Sequence, residues 1–402
     1  MEDPRPGRLN AIDVAVITNA PGEVAGWVTP FCRSMHRRNG AARIWIFLTP
    51  CPFSTGHEMG IARQLPGVSG VFTPSQTISF ILSGKRPRGF DAASKGVVAH
   101  LGGDFWYSAR ISKRLGFRAV AYSDRSATCI SSFEAFAVED ERVKDKLAAK
   151  GVRPDAIQVI GNLMIDGVKP SLEKNEARAA FGIGNDEKCV LLLPGSRPKI
   201  ARYFVPFLLE VARTMKSVDR SVKFLYSVSP FIMGGEGPGY LIGHNLDMEQ
   251  VKPEERFNAM VACDLAIALP GTVTAELAVS GTPMIIAVPL RHWDVVPLPG
   301  IFGLLGAVPG IGRAMKYLGV KRALQKVKYL ALPNKRARKY IVPELVGKVS
   351  PQDVAIAGLE LLQDHDRLGG ISKELRDVMG PPGASERLVD MVLEIAARGT
   401  EE

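Results

Sequence analysis

The sequence is poor in the residue patterns that announce several common chemistries. Its five cysteines, Cys32, Cys51, Cys129, Cys189 and Cys263, are scattered and never fall in a C-x-x-C spacing. That argues against a disulfide framework and against a thiolate-held metal, and they read as small core residues. The six histidines are equally dispersed, with no H-x-x-x-H pair and no His/Cys cluster, so zinc chemistry lacks its ligand pattern. No metal and no resident cofactor is therefore expected. No apolar run approaches the roughly 20 residues of a bilayer-spanning helix, and Met1 to Asn10 carry charges and prolines without a signal-like apolar stretch. The expected location is the cytoplasm.

Acidic side chains are absent from one long stretch. Residues 295–343 contain no Asp or Glu, yet Arg313, Lys316, Lys321, Arg322, Lys326, Lys328, Lys335, Arg336, Arg338 and Lys339 lie there. These ten account for the whole net charge of +10, since the rest of the chain holds 41 acidic residues and an equal number of basic ones. Localised positive charge calls for a partner with localised negative charge. Just before most of it runs Val296-Pro-Leu-Pro-Gly-Ile-Phe-Gly-Leu-Leu-Gly-Ala-Val-Pro-Gly-Ile311. Too broken to span a bilayer, this segment suits an interface, with Phe302, Leu304 and Leu305 inserted and Arg313 and Lys316 on anionic headgroups. The competing reading is an apolar loop docked on its own domain beside a solvated basic face. Nucleic acid is not the expected partner, because aromatic residues are not interleaved with the basic ones as stacking platforms would be.

What the sequence does contain is a soluble-protein composition, 46% hydrophobic and 23% charged, over 402 residues. That length exceeds what one hydrophobic core serves and predicts two domains. Short apolar, β-branched runs alternate with segments of helical period, the pattern of parallel sheets covered by helices. Strands are expected at 13–18, 43–48, 96–101, 118–122, 135–138 and 157–160, then at 188–193, 222–228, 264–269 and 284–288. Their near-continuous apolar character predicts burial on both faces. The charged stretch 169–186 reads as a linker. It divides an N-terminal domain (1–168) from a C-terminal one (169–375) that carries the apolar and basic insertion near 295–340. A C-terminal helix (376–402) follows the break Gly380-Pro-Pro-Gly383.

Two loops carry chemistry. Cys189-Val-Leu-Leu-Leu-Pro-Gly-Ser-Arg197 is a buried strand that turns on Gly195 and sets Ser196 and Arg197 where a helix begins. Backbone N–H groups and the helix dipole favour a phosphate there, and Arg197 adds a bidentate contact. Ala266-Ile-Ala-Leu-Pro-Gly-Thr-Val-Thr-Ala-Glu276 repeats the plan. Gly271 makes the turn, Thr272 is placed to cap the helix and donate to a phosphate, and Glu276 is placed to accept ribose hydroxyls. The plainer readings are an N-capped turn with a surface arginine, and a glutamate complementing the helix dipole. Two such loops in one domain favour the functional reading. Neither is G-x-x-x-x-G-K-[ST] or G-x-G-x-x-G, which removes the main support for an ATPase or a dehydrogenase.

These loops, with Gly281-Thr-Pro-Met284, Gly161-Asn-Leu-Met-Ile-Asp166 and Leu332-Pro-Asn334, resemble the lipid A disaccharide synthase family of GT-B glycosyltransferases in order and spacing over most of the chain. The resemblance implies an α/β GT-B fold, two Rossmann-like domains with parallel sheets facing a central cleft. It implies a UDP-sugar in the C-terminal domain and an acylated acceptor in the N-terminal one. Arg197 and Thr272 then contact the diphosphate and Glu276 the ribose, with Asn334 lining the same cleft. Departures fall mostly on the acceptor side. The family's Gly-Glu-x-Ser-Gly-Asp stands here as Gly22-Glu-Val-Ala-Gly-Trp27, and its Asp-Ala-Pro-Asp-Phe-Asn as Leu101-Gly-Gly-Asp-Phe-Trp106. The junction histidine is Asn162, and the glutamate three residues after Arg197 is Ile200.

Inverting transfer needs a base for the acceptor hydroxyl and positive groups for the departing diphosphate. Asp104 is the first candidate base, with an N-cap of the following helix as its alternative role. Glu23 is placed to orient base or acceptor, Asp124 and His100 stand in reserve, and His100 also reads as a satisfied core histidine. The expected function is transfer of a sugar, acylated glucosamine in its most specific form, from UDP to a lipid-linked acceptor on the inner face of the cytoplasmic membrane. Two alternatives remain open: a UDP-sugar 2-epimerase, and a non-catalytic peripheral membrane protein on the same fold. A homo-oligomer is also left open.

Overall fold

The computed structural model describes residues 12–52, 54–93, 95–124, 127–184, 186–195, 198–228, 248–289 and 328–398. Ser196, Arg197, Phe302, Leu304, Leu305, Arg313 and Lys316 lie outside them. The chain divides into two compact units. One ends at Gly167 and takes back the chain from Pro381 onward, and the other is Val168–Gly380. Each holds one all-parallel sheet, so the two Rossmann-like α/β domains expected from the alternating pattern are present.

The first sheet contains β1 (Asp13–Thr18), β2 (Arg43–Leu48), β3 (Val68–Phe72), β4 (Gly96–His100), β5 (Arg118–Ser123), β6 (Ala135–Val138) and β7 (Ile157–Val159). They lie in the order β3-β2-β1-β4-β5-β6-β7. Every residue of β1 is buried, as the apolar run Val14 to Ile17 requires of a central parallel strand. Alternate residues feed two cores. Val14, Val16, Ile44 and Ile46 pack with Phe31 and Met35, while Ala15, Ile17, Trp45 and Phe47 pack with Phe72, Phe80 and Phe90. The helix Ala384–Arg398 closes the first of these layers with Leu388, Val389, Val392 and Ile395. Burying each such aliphatic chain contributes about 1.5–3 kcal/mol.

The second sheet contains β8 (Cys189–Leu193), β9 (Lys223–Ser227), β10 (Met248–Val251), β11 (Leu265–Ala268), β12 (Met284–Pro289) and β13 (Glu344–Gly347). Their order is β10-β9-β8-β11-β12-β13. The stretch 169–186, expected as an irregular linker, instead contains the helix Lys174–Ala180. Arg178, 4% exposed, explains why it is ordered. Its guanidinium donates to the Ala262 carbonyl at 3.1 Å and to Asp264 Oδ2 at 3.0 Å, which fastens this helix to the edge of β11.

Among the described residues no helix is long and apolar enough to cross a membrane.

Candidate functional site

In the second sheet the chain leaves β8 toward β9 and β10 on one side, then returns to β11 on the other side of β8. The connections after β8 and β11 therefore diverge at the carboxyl ends of those two strands. That is where ligands of open parallel sheets bind. Both glycine loops singled out in the sequence are these connections. Gly195 has φ +96°, and a Cβ there would stand 3.4 Å from Leu269 Cδ1, so glycine permits the turn that sets the first loop beside the second.

Thr272 occupies the N-cap position of the helix Val273–Ser280, but its hydroxyl makes no capping bond. The expected cap is thus not formed by Thr272. Thr274 stabilises this turn instead, because its hydroxyl, fully buried, donates to the Gly271 carbonyl at 2.8 Å and accepts from Leu332 N at 3.1 Å. Thr272 itself is half-buried. Glu276 lies in the first turn of the same helix and is 9% exposed. Its Oε2 pairs with Nη2 of Arg256, the first residue of the helix Arg256–Ala262. Nothing in Lys252-Pro-Glu-Glu-Arg256 forms a motif, so sequence reasoning missed this arginine. Its importance arises only from a contact spanning 20 positions.

Asn334 does not join this group. Its side chain is fully buried. Oδ1 accepts from Ile341 N at 2.8 Å and Val342 N at 3.0 Å, and Nδ2 donates to the Val342 carbonyl at 2.9 Å and Glu344 Oε1 at 2.8 Å. With its amide satisfied internally, Asn334 shapes the approach to β13 and has no group to offer a ligand. That corrects the expectation that it lines a cleft.

The first sheet has its own switch, between β1 and β4. After β1 the chain enters a helical turn, Pro21–Glu23, and then a π-helical stretch, Val24–Val28. Such π segments are rare and concentrate at functional positions. After β4 come Gly102 and Gly103, with φ +129° and +85°. A Cβ on Gly102 would stand 2.7 Å from Glu23 Cγ and one on Gly103 would stand 2.8 Å from Thr49 Oγ1, so a side chain at either position is excluded. The two candidate acceptor-side carboxylates, Glu23 and Asp104, thereby flank one switch point. Asp104 is exposed and caps the helix Phe105–Leu115, accepting from Trp106 N at 2.8 Å. His100 is a satisfied core residue. Its Nδ1 lies 2.8 Å from Ser108 Oγ, and its ring stacks on Phe105 at 4.1 Å between centroids. Asp124 is exposed at the end of β5.

Residues 154–296, which contain both loops of the second switch, match the family model described as lipid-A-disaccharide synthetase. The lipid-A-disaccharide synthase of Synechocystis sp. is 30% identical over 244 residues, 59% of this chain and 56% of that protein. That of Nitrosococcus oceani is 27% identical over 241 residues, 60% of this chain and 56% of that protein. Over this region the chain is similar to the lipid-A-disaccharide synthases. Its match spans a little over half the length of these curated relatives. Among solved structures, the UDP-GlcNAc 2-epimerase of Neisseria meningitidis bound to UDP-GlcNAc aligns with TM-score 0.56 at 13% identity, covering 95% of this chain and all of that one. MurG of Acinetobacter baumannii aligns with TM-score 0.53 at 12% identity, covering 95% and 99%. At such identities the likeness establishes the shared GT-B-type fold class and nothing finer.

In the first unit the Gly161-Asn-Leu-Met-Ile-Asp166 segment performs a structural task. Asp166 accepts from Gly383 N at 2.7 Å and from Ser385 N at 2.6 Å, capping the helix Ala384–Arg398. Arg387 of that helix returns two bonds to the Ile160 carbonyl, at 2.9 and 2.7 Å. Asn162 Nδ2 donates to Glu139 Oε1 at 3.1 Å. Among the described residues no group of three or more His, Cys, Asp and Glu side chains is placed to hold a metal ion.

Proposed function

We propose that this chain is a UDP-sugar-dependent glycosyltransferase of the lipid-A-disaccharide synthase type, moving an acylated glucosamine from UDP to a lipid-linked acceptor. The observation that carries the reading is the placement of both glycine loops at the switch of the second sheet, with Thr272 and the Glu276 carboxylate on one helix end. The donor diphosphate lies over the start of Val273–Ser280, where N–H groups and the helix dipole favour negative charge. Gly195, Ser196, Arg197, Gly271 and Thr272 form its cradle, and Glu276 receives the ribose hydroxyls. The activity of the named relatives, and the UDP-GlcNAc bound to one structural neighbour, support this assignment.

In the transfer a carboxylate at the switch of the first sheet takes the acceptor hydroxyl's proton. The freed oxygen forms the new bond at the anomeric carbon as the bond to the diphosphate breaks on the opposite face. Arg197 and the helix start stabilise the charge that the diphosphate gains. Asp104 and Glu23 are the two groups available for the proton. Acceptor and enzyme meet at the membrane surface through the apolar and basic segment near 295–340, with Phe302, Leu304 and Leu305 in the interface and Arg313 and Lys316 on headgroups.

Mass spectrometry of lipids from cells lacking the protein tests the whole reading. An acylated UDP-sugar and an acylated acceptor should accumulate together, and an unchanged lipid profile contradicts the proposal.

A further inference from the structure

Arg256 is a partner of Glu276 to which the proposed reaction assigns no role. Both side chains are largely withdrawn from water, at 19% and 11% exposure. The guanidinium is held from another side by Phe257, whose ring centroid lies 4.9 Å from Cζ. The helix bearing it is itself fastened. Thr282 Oγ1 donates to the Met260 carbonyl at 2.6 Å, and Asn258 Oδ1 accepts from Ser171 N at 2.8 Å and Leu172 N at 3.2 Å. An ion pair this far from water adds little net stability over an apolar pair of the same volume. Stability alone therefore does not account for placing it in the first turn of the helix that follows the second glycine loop.

We propose that Arg256 is a positioning residue for the donor's ribose, an inference that rests on the function proposed above. A carboxylate presents about four acceptor positions. Arg256 takes one on Oε2, which restrains the carboxylate and leaves Oε1 and the remaining position on Oε2 to accept from a ligand. Two acceptors held in one plane match the vicinal diol of a ribonucleotide. A 2′-deoxynucleotide would leave one of them buried and unpaired, so the site discriminates by sugar. The planar fork of arginine, clamped on Phe257, sets this orientation in a way that a lysine ammonium does not.

Titration calorimetry of the full chain with UDP and with 2′-deoxy-UDP tests the inference. The wild type should bind UDP at least about tenfold more tightly than 2′-deoxy-UDP, and Glu276→Gln should bring the ratio near one. Arg256→Lys and Arg256→Met should also bring it near one. Because Arg256→Met leaves a buried carboxylate unpaired and so endangers folding, the double variant Arg256→Met with Glu276→Gln is measured beside it. It should match Glu276→Gln alone in UDP affinity. If Arg256→Lys keeps the wild-type ratio while Glu276→Gln loses it, the positioning role is overturned and the donor site stands. A double variant that binds UDP tenfold more weakly than Glu276→Gln overturns it also, since Arg256 would then touch the nucleotide itself. If the wild type binds no UDP, or Glu276→Gln leaves the ratio unchanged, the donor-site reading itself fails.

Discussion

The carboxylate of Asp166 accepts the backbone N–H of Ser385 at 2.6 Å, joining positions 219 apart in the chain. With the second bond, from Gly383 N, it fixes the C-terminal helix against the core of the first unit. Asp166→Ala should cost about 1–2 kcal/mol of stability, the range for losing an N-cap carboxylate. Hydrogen exchange should show the loss of protection concentrated in Ala384–Arg398. Exchange that rises equally in both units would argue against this local role.

One substitution separates the observed cap of Asp104 from the base role proposed for it. Asparagine caps helices about as well as aspartate, so Asp104→Asn should leave the melting temperature within about 2 °C of wild type. If Asp104 takes the acceptor proton, the same change should lower transfer about 10²- to 10⁴-fold. Transfer at the wild-type rate in Asp104→Asn would reduce Asp104 to a cap and leave Glu23 as the group to test by Glu23→Gln.

Much of the fold was legible because central parallel strands are buried on both faces and read as unbroken apolar runs, as in β1, β2 and β8. The strands not foreseen, β3, β10 and β13, all lie at sheet edges. Met248-Glu-Gln-Val251 and Glu344-Leu-Val-Gly347 are half-exposed, so they need no apolar continuity and leave little signal. The helix His365–Met379 was also missed, since Gly369 and Gly370 interrupt its pattern. In the site, the glycine loops were visible as motifs because their geometry is local. The Arg256–Glu276 pair and the internal bonding of Asn334 were not, because both depend on partners brought close only by folding. The cap expected of Thr272 is not formed, and the turn is tied instead by the Thr274 hydroxyl through the Gly271 carbonyl and Leu332 N, a partner 58 positions away that sequence does not reveal.

Asp219 links stability to pH in the second unit. Hydrogen bonds from Ser221 and Lys188 hold its carboxyl down at about 2, with Lys188 Nζ 2.9 Å from Oδ2. A folded value below the unfolded one near ~3.9 means that the contribution is present above about pH 4 and is lost as pH falls toward 2. The pair is about a quarter exposed, so screening limits the effect. Asp219→Asn should destabilise the protein by about 1 kcal/mol at pH 7. Denaturant titrations should show that difference shrinking as the pH is lowered below 4, and a difference that grows instead would mean that the folded carboxyl titrates above its unfolded value.

In the proposed function the two glycine loops of the second sheet hold the UDP portion of a sugar donor. Calorimetric titration of UDP into the wild type, Arg197→Ala and Glu276→Ala tests it most directly. Saturable one-site binding by the wild type, weakened at least about tenfold in each variant, a loss of about 1.4 kcal/mol or more, is the predicted result. Undiminished UDP binding in both variants would contradict the account.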